Sequence, residues 1–558
     1  MGNEQYYNTY IDTRGLSNEP VTFTRALIKG IAPGGGLFVP KVIPHLTLEE
    51  LLSLAALPYA SIAAALFEAF GVDLPSSTIA ACMDGAYQAA CMDGTYQAAC
   101  MDGAHQAYMN GAHQANSSNG VAAVQKANFD TPEIAPVRRL DSSTFILELF
   151  HGPTLAFKDM ALQCMPHFFS ASIDALRAQG AEEAREDFLI LVATSGDTGK
   201  AALEGFKDRE HTKIIVYYPF GGVSDLQQAQ MLTSEGSNVQ VYGLRGNFDD
   251  CQTAVKQVFN DVAYAQELSA RHGLRFSSAN SINWGRLLPQ VVYYLYAYAK
   301  MVASGAVSAG EPIDVCVPTG NFGNILAAYY AAEAGAPIER LFCASNTNRV
   351  LTDFINTGVY DISSRDFVTT PSPSMDILVS SNLERQLFEL NGRDPEQIRE
   401  WMRSLNEQKR FTVDKQTFGA LRNRFSADWV SVDESLATIR DVYDAHNYLL
   451  DPHTAVGYKV AERLRGTNPV LIAATAHWCK FGSDVYRGLA GIRGGEALPS
   501  ELAGLDGFAL NRYIAEHFEH AGAVPERMAE LEDKTRRFGA VYDTDAASIK
   551  ESIAAFLG

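Results

Sequence analysis

Lys158 closes the run His151-Gly152-Pro153-Thr154-Leu155-Ala156-Phe157-Lys158-Asp159, which follows the apolar stretch Phe145-Ile146-Leu147-Glu148-Leu149-Phe150. The apolar stretch reads as a buried strand, so the lysine emerges where that strand gives way to a loop and helix. With Ala156 and Phe157 before it, the amine is partly desolvated. Desolvation disfavours the ammonium form and frees a nucleophile for an aldehyde. One lysine at a helix start is ordinarily solvated, and two downstream segments change that reading here.

Each is a glycine-rich turn between an apolar run and a helical pattern. Thr194-Ser195-Gly196-Asp197-Thr198-Gly199 lies between Phe188–Ala193 and Ala201-Ala202-Leu203. Pro318-Thr319-Gly320-Asn321-Phe322-Gly323-Asn324 lies between Ile313–Val317 and Ile325–Tyr330. Such a turn aims backbone N–H groups and a helix N-terminus at an anion. Neither follows GxGxxG or GxxxxGK[ST], so neither reads as a nucleotide loop. With Lys158 they form a constellation for a phosphorylated aldehyde cofactor: a lysine for the aldehyde and a nest for the phosphate.

The elements that must hold these groups form an α/β pattern. Apolar runs at Ile214–Tyr218, Asn238–Leu244, Leu341–Ser345 and Val470–Ala474 alternate with helical stretches, which predicts parallel strands covered on both faces. Before them, Thr22–Gly30, Leu48–Leu54 and Ser61–Phe70 read as helices of a small entry domain. Leu383 to Tyr448 reads as helical and charged, packing beside the sheet, and the stretch after Pro499 as a helical, acidic tail. We expect an N-terminal helical domain over 1–78, an insertion over 79–128, a catalytic domain of two α/β subdomains over 129–498, and a tail over 499–558.

The 558-residue chain is 47% hydrophobic with a formal charge of -20, which suits a soluble enzyme and disfavours nucleic acid or an anionic membrane as partner. The apolar stretch Leu287–Ala303 contains Gln290 and Lys300 and reads as a core helix rather than a membrane span. The N-terminus shows no basic region and no apolar targeting core, so the expected compartment is the cytoplasm. Eight cysteines without CxxC fit a reducing compartment and no structural metal.

Cys82-Met83-Asp84-Gly85-Ala86-Tyr87-Gln88-Ala89-Ala90 recurs from Cys91 and Cys100, then in degraded form at Tyr108-Met109-Asn110-Gly111. A nine-residue period is too short for a solenoid unit, which needs roughly 20 or more residues. His105, His113 and the repeat cysteines show no zinc spacing. Tandem duplication of a surface loop is the better account. The Asp-Gly pairs favour turns, and the first copy reads as running directly into Asn128-Phe129-Asp130.

The segments His151–Gln163, Thr194–Gly199, Asn280-Ser281-Ile282-Asn283-Trp284-Gly285-Arg286, Pro318–Asn324, Ser372–Leu378, Asp451–Gly457 and Ala474-Thr475-Ala476-His477 resemble, in order, those of the threonine synthase family. Thr13-Arg14-Gly15 and Gly34–Pro40 resemble the family's opening segment. The resemblance implies pyridoxal-phosphate fold type II: parallel and mixed sheets flanked by helices. It implies pyridoxal 5'-phosphate as cofactor, Lys158 as the Schiff-base lysine and proton carrier, Gly320, Asn321, Phe322, Gly323 and Asn324 around the cofactor phosphate, and Thr475 at the pyridine nitrogen. Ser195, Gly196, Asp197 and Thr198 would meet the substrate carboxylate and ring edge, with Asp197 orienting either its loop or the pyridine hydroxyl. Asn280, Ser281, Asn283 and Arg286 would take the phosphate of O-phospho-L-homoserine, and no metal is implied. The implied reaction converts that substrate and water to L-threonine and phosphate, in a monomer or homodimer. Alternatives are a serine or threonine dehydratase, an amino-alcohol phospholyase, or a non-catalytic amino-acid-binding homologue. Lys200, Trp478 and Cys479 depart from the family pattern beside the site.

Overall fold

The computed structural model describes residues 9–89, 127–194 and 196–558. The strands, in chain order, are β1 (Tyr10–Asp12), β2 (Phe38–Pro40), β3 (Val137–Arg139), β4 (Thr144–Glu148), β5 (Asp187–Ala193), β6 (Thr212–Pro219), β7 (Val239–Arg245), β8 (Leu274–Ser277), β9 (Ile313–Pro318), β10 (Ile338–Ser345), β11 (Val359–Asp361), β12 (Arg410–Thr412), β13 (Phe425–Trp429), β14 (Val470–Ala474) and β15 (Val541–Asp543). Two larger sheets organise the molecule. One runs β13-β10-β9-β14-β4-β3, parallel except for its edge strand β3; the other runs β15-β7-β6-β5-β8, wholly parallel. The central strands β4, β9 and β14 are buried along their whole length, as strands covered on both faces must be.

The entry domain carries the expected helices at Phe23–Lys29, Leu48–Ser53 and Tyr59–Ala69, and also the antiparallel pair β1 and β2. Its opening segment docks on the Leu383–Leu390 helix. There Thr13 Oγ1 donates to Glu384 at 2.6 Å and the Arg14 guanidinium pairs with the same carboxylate at 2.8 Å.

Three expectations about the repeat segment change. The helix Ser76–Ala86 crosses the boundary placed after residue 78, and the first repeat copy belongs to the core: Cys82, Met83, Ala86 and Tyr87 are buried, and Tyr87 Oη donates to Met160 O at 2.8 Å. Its Asp84-Gly85 pair is helical rather than a turn, and the His167 ring packs against it where a Cβ on Gly85 would stand, 2.4 Å from Cε1. Ala89 bridges Phe129 in parallel, so the chain does not pass straight from one to the other. The later copies, with His105 and His113, lie outside the described residues.

The charged stretch from Leu383 to Tyr448 is not only helical. It supplies β12 and the sheet-edge strand β13, and the segment after Pro499 supplies β15, paired with β7. Strands of three to five residues flanked by helices leave too little alternation to be read. The Trp284–Ala303 helix is a core helix, as expected, and among the described residues no helix is long and apolar enough to cross a membrane.

Candidate active site

Beyond β4 and β14 the two chains stay in contact. Leu149 N donates to Ala474 O at 3.0 Å, Phe157 N to Thr475 O at 2.9 Å and His477 N to Leu155 O at 3.1 Å. This seam fixes the residue before Lys158, which opens the short helix Lys158–Leu162. Asp159 turns inward to accept from Thr154 N (2.8 Å) and Oγ1 (2.7 Å); burial pushes its carboxyl up to about 6 despite these bonds. Lys158 is 8% exposed. Its Nζ donates to Ser374 Oγ at 3.1 Å, pairs with Asp197 Oδ2 at 3.4 Å and lies 4.8 Å from the Phe157 ring centre. Burial lowers the pKa of this lysine; Asp197 opposes the shift, and the charges of Lys480 and Arg286 add to it.

Asp197 is held from two sides. Gln227 Nε2 (3.0 Å) and Lys480 Nζ (3.1 Å) meet Oδ1, while Lys158 meets Oδ2. Burial would raise this carboxyl, but Lys480 and then Lys158 overcome it and hold the group well below the usual carboxylate range. Gly196, at φ 135°, lets the turn pass Gln227, which a Cβ would approach to 2.6 Å. Thr194 Oγ1 accepts from the N–H groups of Gly196 (3.0 Å) and Gly199 (2.9 Å), which braces the turn from within. Thr198 follows on the same helix, Asp197–Phe206, and is half-buried; Ser195 lies outside the described residues.

The turn after β9 fits a phosphate. Phe322 adopts a left-handed conformation (φ 62°) just ahead of the helix Gly323–Glu333. Among the described residues, the backbone N–H groups of Gly320, Asn321, Phe322, Gly323 and Asn324 have no partner within the chain. Left-handed backbone, a helix N-terminus and free N–H groups together make an anion nest. A Cβ at Gly320 would stand 2.3 Å from Ser374 O, so glycine is what lets this turn close on the segment that contacts Lys158. The Asn324 side chain serves a different purpose: its Oδ1 accepts from Tyr293 and Tyr294, both at 2.6 Å, inside the core.

The Asn280–Arg286 segment divides. Asn280 is exposed, Ser281 presents its carbonyl to Asn382 Nδ2 at 3.2 Å, and Asn283 caps the Trp284–Ala303 helix. Asn283 Oδ1 accepts from Gly285 N and its Nδ2 donates to Leu27 O, each at 2.9 Å, so this side chain is taken up in structure. Arg286 is different. It is buried, Nη1 donates to Ala279 O at 3.0 Å, and among the described residues Nε has no partner. Among the described residues it pairs with no carboxylate, and burial lowers its pKa to about 10. An uncompensated guanidinium in the interior is costly unless an anion joins it. Thr475 is buried at the seam, with its carbonyl on Phe157.

Lys480, Gln227, Ser374, Asn382 and Arg385 had no role in the sequence reading. Arg385 donates to Phe38 O (2.9 Å), Asn382 Oδ1 (2.5 Å) and Ile282 O (2.5 Å), while Asn382 reaches Asn321 O at 3.0 Å. That pair ties the phosphate nest to the Arg286 segment and the entry domain. Ser374 sits in the Ser372–Leu378 segment, whose resemblance carried the only sequence signal. Lys200 points away from Lys158, onto Glu204 and Ser234 Oγ (3.1 Å). Trp478 donates to Ala521 O at 2.9 Å and Cys479 is buried, so these two departures face the C-terminal core.

Three family models cover the chain: the threonine synthase N terminus over residues 9–87, the pyridoxal-phosphate dependent enzymes over 130–475 and the threonine synthase C-terminal model over 454–553. The chain belongs to the threonine synthase family. It is 33% identical to the threonine synthase of Eremothecium gossypii, over 98% of this chain and 97% of that one. It is 42% identical to human threonine synthase-like 1 over 86% of its own length, and spans only 61% of that relative. The crystal structure of pyridoxal-phosphate-bound threonine synthase from Brucella melitensis superposes with TM-score 0.77 at 34% identity, covering 98% of this chain and 99% of that chain. The yeast threonine synthase structure gives 0.79 at 29% identity, covering 99% of each. Pyridoxal phosphate is the cofactor of this family.

Proposed function

We propose that the protein is a threonine synthase, converting O-phospho-L-homoserine and water to L-threonine and phosphate. The observation that carries this is Arg286. The Gly320–Asn324 nest already provides for the phosphate of the cofactor, and Arg286 is a second anion site whose charge is felt at Lys158. The cofactor phosphate and a substrate phosphate together use both sites. A serine or threonine dehydratase has no substrate phosphate to place.

Bound pyridoxal phosphate supplies the electron sink that stabilises a carbanion next to the substrate amine. Lys158 is the group in place to carry protons at substrate Cα and Cβ. It is buried, its ammonium is disfavoured, and its contacts to Ser374 and Asp197 fix where Nζ points. Phosphate leaves from Cγ and water adds at Cβ. Arg286, which can offer phosphate two parallel donors, holds the leaving group from binding to departure. The Asn382–Arg385 tie keeps the two anion sites at a fixed spacing.

A second reading is favoured by one comparison: identity is higher to the threonine synthase-like 1 proteins, 42%, than to threonine synthases at 33–36%. On that reading the site is another lyase, such as an amino-alcohol phospholyase, or a non-catalytic homologue. Purified protein with O-phospho-L-homoserine decides. Equal amounts of threonine and phosphate support the synthase, phosphate without threonine supports a phospholyase, and neither product with cofactor bound supports the silent homologue.

A further inference from the structure

Two lysines share one buried carboxylate. Lys158 meets Asp197 Oδ2 at 3.4 Å and Lys480 meets Oδ1 at 3.1 Å, and the Lys480 side chain is fully buried. Asp197 is the carboxylate paired with both, with Arg286 as a third cation whose charge reaches Lys158. The two ammonium groups are not solvated alike. Lys480 has an acceptor for each of its three N–H donors: Thr154 O at 2.8 Å, Gln230 Oε1 at 2.9 Å and Asp197 Oδ1. Among the described residues Lys158 has two acceptors, Ser374 Oγ at 3.1 Å and Asp197 Oδ2 at 3.4 Å. A lone carboxylate opposite a lone buried lysine would lock it as an ammonium, and an ammonium has no electron pair for the cofactor aldehyde.

We propose that Lys480 is a positioning residue that keeps Lys158 available as a neutral amine. By occupying Asp197 Oδ1 with all three of its donors already matched, it takes up much of the carboxylate's charge and leaves Lys158 the less tightly held of the two lysines. The neutral amine then bonds to the aldehyde carbon, and the carbonyl oxygen leaves as water with the two amine protons. The charged and titratable groups that face this pair are Asp197, Arg286, Asp159 and His453. The inference rests on the cofactor and not on the substrate reading, so it holds for any amino acid the site accepts.

The test is the pH dependence of cofactor loading into the full-length apoprotein, followed by the visible absorbance of bound pyridoxal phosphate. Lys480→Gln keeps an amide donor near Thr154 O but removes the charge. Its loading midpoint is expected about one pH unit higher than wild type, read as about tenfold slower loading at neutral pH. Lys480→Arg, which retains the charge, is expected to load with the wild-type midpoint. A folded Lys480→Gln protein with an unshifted midpoint overturns the proposal. So does a Lys480→Arg midpoint displaced as far as that of Lys480→Gln, which would mean packing rather than charge. Should Lys480→Gln fail to fold, Lys480→Met paired with Asp197→Asn removes both partners of the Lys480–Asp197 ion pair. In that double variant the midpoint must lie above that of Asp197→Asn alone, and equality of the two overturns the proposal.

Discussion

The backbone N–H of Phe129 donates to the carbonyl of Gln88 at 2.8 Å, so the two ends of the repeat-bearing segment meet in the fold. Arg527 holds the same junction from the C-terminal side, donating to Ala127 O and Asn128 O. The Ala89–Phe129 bridge is parallel, and a parallel pair cannot be joined by a tight turn. Replacing residues 90–126 by about a dozen Gly and Ser residues should leave turnover and cofactor absorbance unchanged. Shortening the loop by between one and two doublings should add about 1 kcal/mol of stability. A large loss of turnover in a folded, cofactor-loaded deletion protein would show that the later repeats act on the site.

Lys158→Ala should lose turnover and the absorbance of lysine-linked cofactor together. Borohydride reduction of wild type followed by peptide mapping should place the label on Lys158. Recovery of the label on Lys200, which is turned onto Glu204 and Ser234, would reassign the cofactor lysine.

Arg286→Leu separates binding from stability. Loss of a charge-assisted contact of about 1.5–3 kcal/mol should raise KM for O-phospho-L-homoserine by about one to two decades with the cofactor retained. The free enzyme should not lose stability, because the substitution removes a buried charge that has no acid partner among the described residues. Inorganic phosphate should raise Tm of the wild type more than that of the variant. Loss of pyridoxal phosphate with unchanged substrate affinity would exchange the roles of the two anion sites.

His151 predicts a pH dependence. Burial disfavours its charged form, but hydrogen bonds to Asp130 (2.7 Å) and Glu148 (2.9 Å) prevail and push its pKa up to about 9. The folded value lies above the ordinary one of about 6.5, so the stabilisation is complete below that pH and is lost as pH rises through 9. Melting temperature should therefore fall between pH 6.5 and 9 more steeply in wild type than in His151→Gln. Parallel curves for the two proteins would remove this histidine from the account.

Much of the site was legible because its chemistry is local. The Lys158 run and the Gly320–Asn324 turn each place strand, turn and helix within a dozen residues or so, and the structure keeps them that way. Asn283 shows where residue type misleads: a donor suited to phosphate is used up capping a helix and holding Leu27 O. Lys480 was unreadable for the opposite reason. Its partners Thr154, Asp197 and Gln230 come from three distant segments, and nothing in the neighbouring residues announces an ion pair made by folding. β13 and β15 escaped because short strands at a sheet edge draw their stability from a neighbour and not from their own pattern.

β15 also sets an order of events during synthesis. β7 emerges from the ribosome roughly 300 residues before its partner at Val541–Asp543, an interval of about 15–60 s at ordinary translation rates. Throughout that interval one margin of the growing sheet has unpaired backbone groups, the kind of template on which nascent chains associate with one another. This half of the molecule therefore matures only after translation has passed the β15 segment.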